Sequence, residues 1–372
     1  MSLDIRFAIA SDLHIGLPHT IWDHPSRFHL IEVSIPALEQ VLDHISQLDI
    51  DFLLLPGDLT QHGERDNHAW LAERLQRLSF PCYVIPGNHD VVLPDPAGDA
   101  RRIGSNDFAK IYQKFGYDKV VQDQDQATAP RPLCYSTSPV SGLRLIGLNS
   151  NQFDHEGKLV GYLDSAQLDW LETELSRGQF EATWVMIHHN VLEHLPDQAQ
   201  HPLGRRYILG NAERLKAILK THAVSLIFTG HLHVQDVTQE NGLTEITTGS
   251  LVSYPHPYRL LHYKQSPAET MLSFESFRIG STPDWPQLQQ QSRDWMGDRA
   301  TPFMAKLLSL ASLDLSEAQI AQLTPHLRYF WADIAEGDRE FNFEQFPAEL
   351  QGYFKRFGIH QGKIDNAATL AL

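Results

Sequence analysis

Residues 82–90 read CYVIPGNHD, a short apolar run that ends in proline, glycine and three polar side chains. The same pattern occurs upstream at residues 52–58, FLLLPGD. Its continuous apolar run is typical of a strand buried on both faces. A third example opens the chain, because the strand-like run at residues 5–10 leads directly into SDLH at 11–14. Strands that end in polar turns, with helix-period segments between them, predict a layered α/β fold.

Two further apolar runs downstream end in histidines. Residues 184–187 lead into His188 and His189, and residues 226–228 lead through Gly230 into His231-Leu232-His233. Ligands of open α/β sheets bind beyond the carboxyl ends of the strands, so parallel strands would bring these polar side chains to one face. Apolar residues at helical spacing separate the strands at 35–48, 70–78, 164–175 and 215–219.

The polar side chains at the strand ends supply carboxylate, amide and imidazole groups without a thiolate, a donor set that suits Mn, Fe or Zn ions. Each cluster alone is most simply a turn or a helix cap. Five clusters that all follow strand-like runs are hard to explain in that way. Two metal ions that share one carboxylate need about seven or eight ligands, roughly the number available here. Gly57, Gly87 and Gly230 stand where the backbone needs a positive φ or room for close approach.

In this order the clusters resemble the pattern of the calcineurin-like metallophosphoesterases, which is D-x-H, G-D, G-N-H-D/E, H and G-H-x-H. The resemblance extends over residues 5–277 and implies a four-layer αββα sandwich of two mixed sheets flanked by helices. It also implies two metal ions with a shared carboxylate. One ion would be held by Asp12, His14, Asp58 and His233, and the other by Asp58, Asn88, His188 and His231.

The resemblance also gives roles to the residues next to Asn88. His89 matches the family's catalytic histidine, which contacts the phosphate and protonates the leaving oxygen, and Asp90 would orient its ring. Of the adjacent histidines the family uses the first as ligand, which assigns His188 and leaves His189 open between a ligand and a neighbour of the site. The implied reaction is hydrolysis of a phosphodiester by in-line attack of a metal-activated hydroxide on phosphorus.

The substrate class follows from finer features. The short metal loops and the stretch GYLDSAQLDWLE at 161–172 most resemble class III cyclic-nucleotide phosphodiesterases, and glycerophosphodiester hydrolases share this arrangement. We therefore expect a phosphodiesterase of small substrates such as 3',5'-cyclic nucleotides, with glycerophosphodiesters and phosphomonoesters as alternatives. A non-catalytic protein-binding scaffold on the same fold is the alternative of another class, and the complete ligand set argues against it.

The composition limits which binding partners and which cellular compartment we expect for the protein. The 372 residues carry 30 Lys+Arg, 46 Asp+Glu and 20 His, and the net charge of −16 disfavours nucleic acid, whose phosphates bind Lys/Arg patches. No apolar run approaches the roughly 18 residues of a membrane span, and the start lacks a signal-peptide pattern. Two cysteines are too few for a disulfide framework, so we predict a cytoplasmic protein. The partner that the resemblance implies is a small phosphoester. A homo-oligomer is compatible with this composition.

From residue 283 onward the pattern changes to helices at 304–313, 316–334 and 346–357 without a strand. We therefore divide the chain into a phosphoesterase domain (1–282) and a helical appendage (283–372) that acts as a cap or a dimer contact. The aromatic residues of the appendage favour a core of the helical subdomain or a dimer contact over a substrate cap. A few polar residues near the strand ends have both a structural and a substrate-contact interpretation: His19, His24, His62, His68 and Arg259.

Overall fold

The computed structural model describes residues 2–22, 27–92, 99, 101–124, 133–310, 315–359 and 365–372. In this part of the chain, two six-stranded mixed sheets pack face to face. The first sheet has the order β14 (Ala367–Ala371), β13 (Thr270–Arg278), β12 (Pro257–Gln265), β1 (Leu3–Ile9), β2 (Phe52–Leu55) and β3 (Cys82–Val84). The second has the order β10 (Asp236–Glu240), β11 (Leu243–Thr247), β9 (Leu226–Thr229), β8 (Ala182–Met186), β5 (Leu143–Gly147) and β4 (Tyr135–Thr137). A separate hairpin pairs β6 (Asn151–Phe153) with β7 (Leu159–Gly161).

Helices cover the outer faces of both sheets, which confirms the predicted four-layer αββα arrangement. The apolar faces of α1 and α2 belong to the core of the first sheet, and those of α5 and α6 pack on the second. Within the described residues, every helix is too short or too polar to cross a bilayer. The helices are α1 (Ser34–Ile45), α2 (Arg65–Leu75), α3 (Ser105–Ile111), α4 (Asp118–Gln124), α5 (Ser165–Leu175), α6 (Ala212–Thr221), α7 (Leu288–Leu310), α8 (Glu317–Leu323), α9 (Phe330–Glu336) and α10 (Ala348–Lys355).

Aromatic side chains fill the space between the two sheets. The ring of Phe7 on β1 lies 5.0 Å from Trp184 on β8 and 5.5 Å from Phe228 on β9. Phe7 also stacks on Phe52, its partner in the parallel pair of β1 and β2. Such aromatic pairs contribute about 0.5–1.5 kcal/mol each beyond the burial of their surface. This packing fixes the carboxyl ends of strands from both sheets next to each other.

The C-terminal helices pack on the turn that follows β9. Leu232 and Val234 are buried in one apolar cluster with residues of α7, α9 and α10. Phe330 and Phe354 lie at the centre of this cluster, with ring centroids 4.9 Å apart. The aromatic residues of the appendage surround them, which confirms the core interpretation; they are Phe341, Phe343, Phe346, Tyr353 and Phe357.

The expectation of a strandless C-terminus is wrong. Strand β14 pairs antiparallel with β13, from Met271 opposite Ala371 to Glu275 opposite Ala367. Its sequence AATLA has little intrinsic strand preference, so the pairing is supplied by its neighbour in the sheet rather than by local propensity. The helices differ too, because α7 already begins at Leu288 and the predicted helix 316–334 is divided into α8 and α9. Residues 311–313 lie outside the described part, and the division after residue 282 stays a prediction.

His194 is buried between two carboxylates beside the second sheet. Its Nδ1 lies 2.5 Å from Asp236 Oδ2, and its Nε2 lies 3.1 Å from Glu245 Oε1. Burial alone would lower the pKa of His194, but the two carboxylates outweigh it and raise this pKa to about 10. The imidazole is therefore protonated in the folded protein at neutral pH.

We expect the free energy of unfolding to fall as the pH rises between about 6.5 and about 10. The native state keeps a proton on His194 that the unfolded chain releases near pH 6.5, so this stabilisation is complete below 6.5 and is lost as the pH passes through 10. Urea unfolding of the wild type and of His194→Gln across this range measures the effect. Equal pH dependence in the two proteins would contradict the assignment.

Candidate metal centre

The carboxyl ends of β1, β2, β3, β8 and β9 meet at one edge of the sandwich. Backbone hydrogen bonds join neighbouring ends within each sheet. His14 N donates to Asp58 O over 2.9 Å in the first sheet, and Gly230 N donates to His188 O over 3.2 Å in the second. The side chains that the sequence placed after these strands therefore lie in one compact region.

A first group of four side chains is built from both sheets. Asp12, His14, Asp58 and His233 each place one ligand atom within 4.8 Å of the others, and the first three are buried. Both ring nitrogens of His14 are buried without a hydrogen-bond partner. An unsatisfied buried imidazole is costly, and a cation bound by these two carboxylates and two imidazoles would satisfy one of its two nitrogens. The donor set therefore fits the metal ion that the motif order implies.

A second group shares one member with the first. Asp58, His188 and His231 place ligand atoms within 4.8 Å of one another. His188 Nε2 lies 3.4 Å from Asp58 Oδ2 and 3.2 Å from Asn88 Oδ1. The other ring nitrogen of His188 donates to Pro56 O at 2.8 Å, which directs Nε2 towards the group. Asp58 thus stands between two clusters of metal-binding side chains.

Burial and the charge of Asp58 shift the pKa values within the two groups in different directions. Burial lowers the pKa of His14 well below its ordinary value, so its imidazole is neutral, the form that binds metals. Burial also lowers the pKa of His231, to about 3. At His188 burial acts in the same direction, but the Asp58 charge and its hydrogen bond outweigh it and raise the pKa of His188 to about 9. The same imidazole holds the pKa of Asp58 well below its usual range although burial opposes this.

The backbone of the two groups is unusual. Asp12, His14 and Asp58 have φ angles of 51°, 41° and 49°, and His231 and His233 have 66° and 60°. Residues other than glycine rarely adopt this left-handed region, at a cost of about 1–3 kcal/mol each, and they do so mainly at functional sites. The fold thus holds these five residues in a strained conformation that brings their side chains together.

His89 lies directly beside the shared carboxylate. Its backbone N–H donates to Asp58 Oδ1 at 2.7 Å, and its Nδ1 lies 2.7 Å from the carbonyl oxygen of Gln61. Since only Nδ1–H can donate to that carbonyl, Nε2 is the nitrogen that remains for proton exchange. The His89 ring also contacts His14 edge-on, with centroids 4.8 Å apart.

The role expected for Asp90 needs correction. Its carboxylate accepts hydrogen bonds from the backbone N–H groups of Gly87, Leu59 and Thr60, at 2.8, 3.1 and 2.9 Å. It also accepts one from the Thr60 hydroxyl. These bonds join the loops after β2 and β3, whereas the His89 ring is oriented by the Gln61 carbonyl. Asp90 therefore positions the loop that carries His89 instead of its ring.

Sequence comparison decides the family. The sequence profile of the calcineurin-like phosphoesterases matches residues 5–235. The chain belongs to this family. It is accordingly a metal-dependent phosphoric ester hydrolase, as the order of the five clusters predicts.

Several relatives of this calcineurin-like phosphoesterase are known by name. A probable glycerophosphodiester phosphodiesterase of Arcobacter nitrofigilis is 27% identical over 221 residues, which cover 58% of this chain and 68% of that protein. A probable cyclic nucleotide phosphodiesterase of Moraxella catarrhalis is 26% identical over 274 residues, 73% of this chain and 83% of the relative. A 3',5'-cyclic-nucleotide phosphodiesterase of Nostoc sp. is 25% identical over 234 residues, 62% and 72% of the two chains.

Some residues around the phosphoesterase site belong to none of the five motif clusters in the sequence. The carbonyl oxygen of Arg206 lies 3.1 Å from His231 Nε2, and the Tyr207 ring lies 5.1 Å from the His231 ring. Both belong to the loop between β8 and α6, which the C-terminal helices contact. His29 is a third such residue, since its ring stacks on His14.

Among the residues with two interpretations, His62 faces the site. Its Nδ1 lies 3.4 Å from His89 Nδ1 and its ring lies 5.8 Å from Trp22. His68 is structural, because it is buried and contacts Thr60 and Tyr112. The remaining described residues belong to neither group. Arg259 is fully buried and donates to Thr247 O and Ser276 Oγ. His19 is exposed and lies 3.1 Å from Asp66, and His189 bonds Ser150 beside the second group. His24 lies outside the described residues.

Gly87 is required by the close approach of two metal loops. A Cβ at this position would lie 2.2 Å from both the backbone nitrogen and Oδ1 of Asp58, and the backbone nitrogen cannot move aside cheaply. Of the three glycines expected at the strand ends, only Gly57 has a positive φ, of 97°. Gly230 resembles Gly87, since its Cβ would lie 2.4 Å from Asp12 Oδ2. Two of the glycines thus serve close approach rather than backbone conformation.

We expect Gly87→Ala to weaken metal binding by about 10- to 100-fold, the range typical for changes that displace a ligand's supporting contacts. The added methyl group must push the Asp58 carboxylate away from its place in both groups. Metal content after dialysis against graded metal concentrations measures the loss. Gly280→Ala is the matched control, because a Cβ there meets nothing within 4 Å. Equal metal content in the two variants would contradict the prediction.

Proposed function

We propose that this protein is a phosphodiesterase of small substrates, with a dinuclear metal centre that takes Mn or Fe, or alternatively Zn. The observation that carries the proposal is the position of Asp58 in both groups of metal-binding side chains, directly beside His89. One group would consist of Asp12, His14, Asp58 and His233, and the other of Asp58, Asn88, His188 and His231. When bound, the ions would neutralise charge on the phosphoryl oxygens and lower the pKa of a coordinated water.

The residues of the chain divide the remaining tasks. The neutral imidazole of His14 is ready to bind a cation without losing a proton. His89 is held by the Gln61 carbonyl, so its Nε2 can give a proton to the departing alkoxide oxygen. Asp90 and Thr60 keep the loops after β2 and β3 together, which fixes His89 relative to Asp58.

The nature of the substrate rests on two arguments. The relatives named above are phosphodiesterases of cyclic nucleotides or of glycerophosphodiesters, which supports 3',5'-cyclic nucleotides first and glycerophosphodiesters second. The net charge of −16 disfavours nucleic acid, but two divalent ions would add about +4 at the site and give it an attraction for a small anion. We also propose a cytoplasmic location, supported by the free thiols of Cys82 and Cys134.

A substrate panel tests this proposal. Metal-free protein is reconstituted with Mn, Fe, Co or Zn and assayed with bis(p-nitrophenyl) phosphate, p-nitrophenyl phosphate, 3',5'-cyclic AMP and a glycerophosphodiester. We expect kcat/KM for the diesters to exceed that for the monoester at least tenfold. A faster monoester would identify a phosphomonoesterase instead, and no hydrolysis with any of the metals would favour the scaffold.

A further inference from the structure

His29 lies against the first metal group although no recognisable motif contains it. Its ring stacks on His14 with centroids 4.4 Å apart and an angle of 30° between the ring planes. The His233 ring is also close, with centroids 4.8 Å apart. His14, His29 and His233 each place a ring nitrogen within 4.8 Å of the other two. Three imidazoles thus converge where the first metal ion is expected.

The surroundings of His29 hold one ring nitrogen and leave the other available. Nδ1 lies 3.2 Å from the hydroxyl of Ser253, which is 2% exposed, on the loop that follows β11. The neighbouring backbone is fixed too, since Leu30 N donates to Val252 O at 2.8 Å. His188 is arranged in the same way, with Nδ1 on the Pro56 carbonyl and Nε2 facing its group. Metal-binding histidines are commonly oriented through their second nitrogen in this manner.

A purely structural role explains this arrangement poorly. His194 is paired with two carboxylates, whereas the rings of His14 and His233 lie against His29. Stacked neutral imidazoles attract each other weakly, and both His14 nitrogens lack a hydrogen-bond partner. A shared cation would hold the imidazoles together and would occupy one of the two unpartnered nitrogens of His14.

We propose that His29 binds, through Nε2, the ion that Asp12, His14, Asp58 and His233 hold. This inference rests on the metal centre of the proposed function and adds a ligand to it. The proposal adds His29 as a fifth protein ligand, on the ground that it lies within 4.8 Å of His14 and His233, the two imidazole members of that group. A consequence is that the first ion is retained longer than the second when metal is withdrawn.

Metal retention tests the inference without reference to activity. Wild type, His29→Ala and Ser253→Ala are loaded with Co(II), dialysed and analysed for metal by mass spectrometry. We expect His29→Ala to lose at least about tenfold in affinity for the tighter ion, and Ser253→Ala to lose less, because it keeps the ligand and removes only its orientation. His155→Ala is the control, since that side chain is 89% exposed and its ion-pair partner, Glu156, belongs to neither group.

A spectroscopic count makes the test independent of how well the variant folds. In wild-type protein with one equivalent of Co(II), each bound imidazole that keeps an N–H gives a paramagnetically shifted, exchangeable proton signal. We expect one such signal to disappear in His29→Ala and to remain, at a changed shift, in Ser253→Ala. Unchanged retention together with an unchanged set of shifted signals would overturn the role of His29. That result would leave the phosphodiesterase proposal intact, because that proposal is decided by which substrates of the panel the wild type hydrolyses.

Discussion

Replacing Asp58 with alanine is expected to remove both metal ions and to reduce hydrolysis to the level of the metal-free protein. Asp58 is the only side chain among the described residues that belongs to both the group with His14 and the group with His188. Its loss therefore takes a ligand from each ion, whereas a change at His14 or His231 affects one. The His188 imidazole, whose pKa Asp58 raises, would also lose its charge partner. Metal analysis and kcat/KM for bis(p-nitrophenyl) phosphate measure the two losses.

The matched control for this experiment is Asp66→Ala. Asp66 lies in the first turn of the helix that follows the Asp58 loop, and its side chain is 67% exposed. Circular dichroism of both variants separates loss of the site from loss of the fold. An Asp58→Ala protein that retains two equivalents of metal would contradict the bridging position of this carboxylate.

The sequence predicts most of this site because the relevant residues are local to strand ends. Asp12, Asp58 and His188 each stand within a few residues of a buried apolar run, and the sheet brings the ends of such runs together. The four-layer arrangement follows from the same alternation of strands and helices. Where the signal is periodic or lies directly after a strand, sequence reasoning reaches the three-dimensional arrangement.

Features that depend on contacts between distant segments escape this reasoning. His29 reaches the site because Leu30 is bonded to the loop that follows β11, more than two hundred residues away in sequence. The orientation of His89 by a backbone carbonyl, rather than by Asp90, is likewise invisible in the residue types. Asn211 illustrates the same limit at a helix end. It precedes α6 as a capping residue would, but its side chain bonds the backbone of Leu163 instead.

The C-terminal helices contact the metal-binding region through the turn that follows β9. Leu232 lies between His231 and His233 and is buried in the apolar cluster of these helices. The positions of two candidate ligands thus depend on packing formed by residues far along the chain. The appendage is therefore positioned to influence the metal site even though it contributes no residue to the two groups within the described part of the chain.

His89→Ala is expected to retain both metal ions and to lower kcat by about 10²- to 10⁴-fold, the usual contribution of a positioned general acid. His89 belongs to neither group of metal-binding side chains, and its contacts to Asp58 run through its backbone N–H, which alanine keeps. His62→Ala is the matched control, because His62 lies beside His89, with its Nδ1 3.4 Å from His89 Nδ1, and belongs to neither metal group. We expect a smaller loss for His62→Ala than for His89→Ala.

The leaving group distinguishes proton donation from other roles of His89. A p-nitrophenolate departs without help, whereas the alkoxide released from a 3',5'-cyclic nucleotide or a glycerophosphodiester needs a proton in the transition state. The loss caused by His89→Ala should therefore be larger for the alkyl esters than for bis(p-nitrophenyl) phosphate, and metal content should stay at the wild-type value. Equal losses on both kinds of ester would assign His89 to phosphate binding instead of acid catalysis. An empty metal site in this variant would assign it to ligation, although His89 belongs to neither group of metal-binding side chains among the described residues.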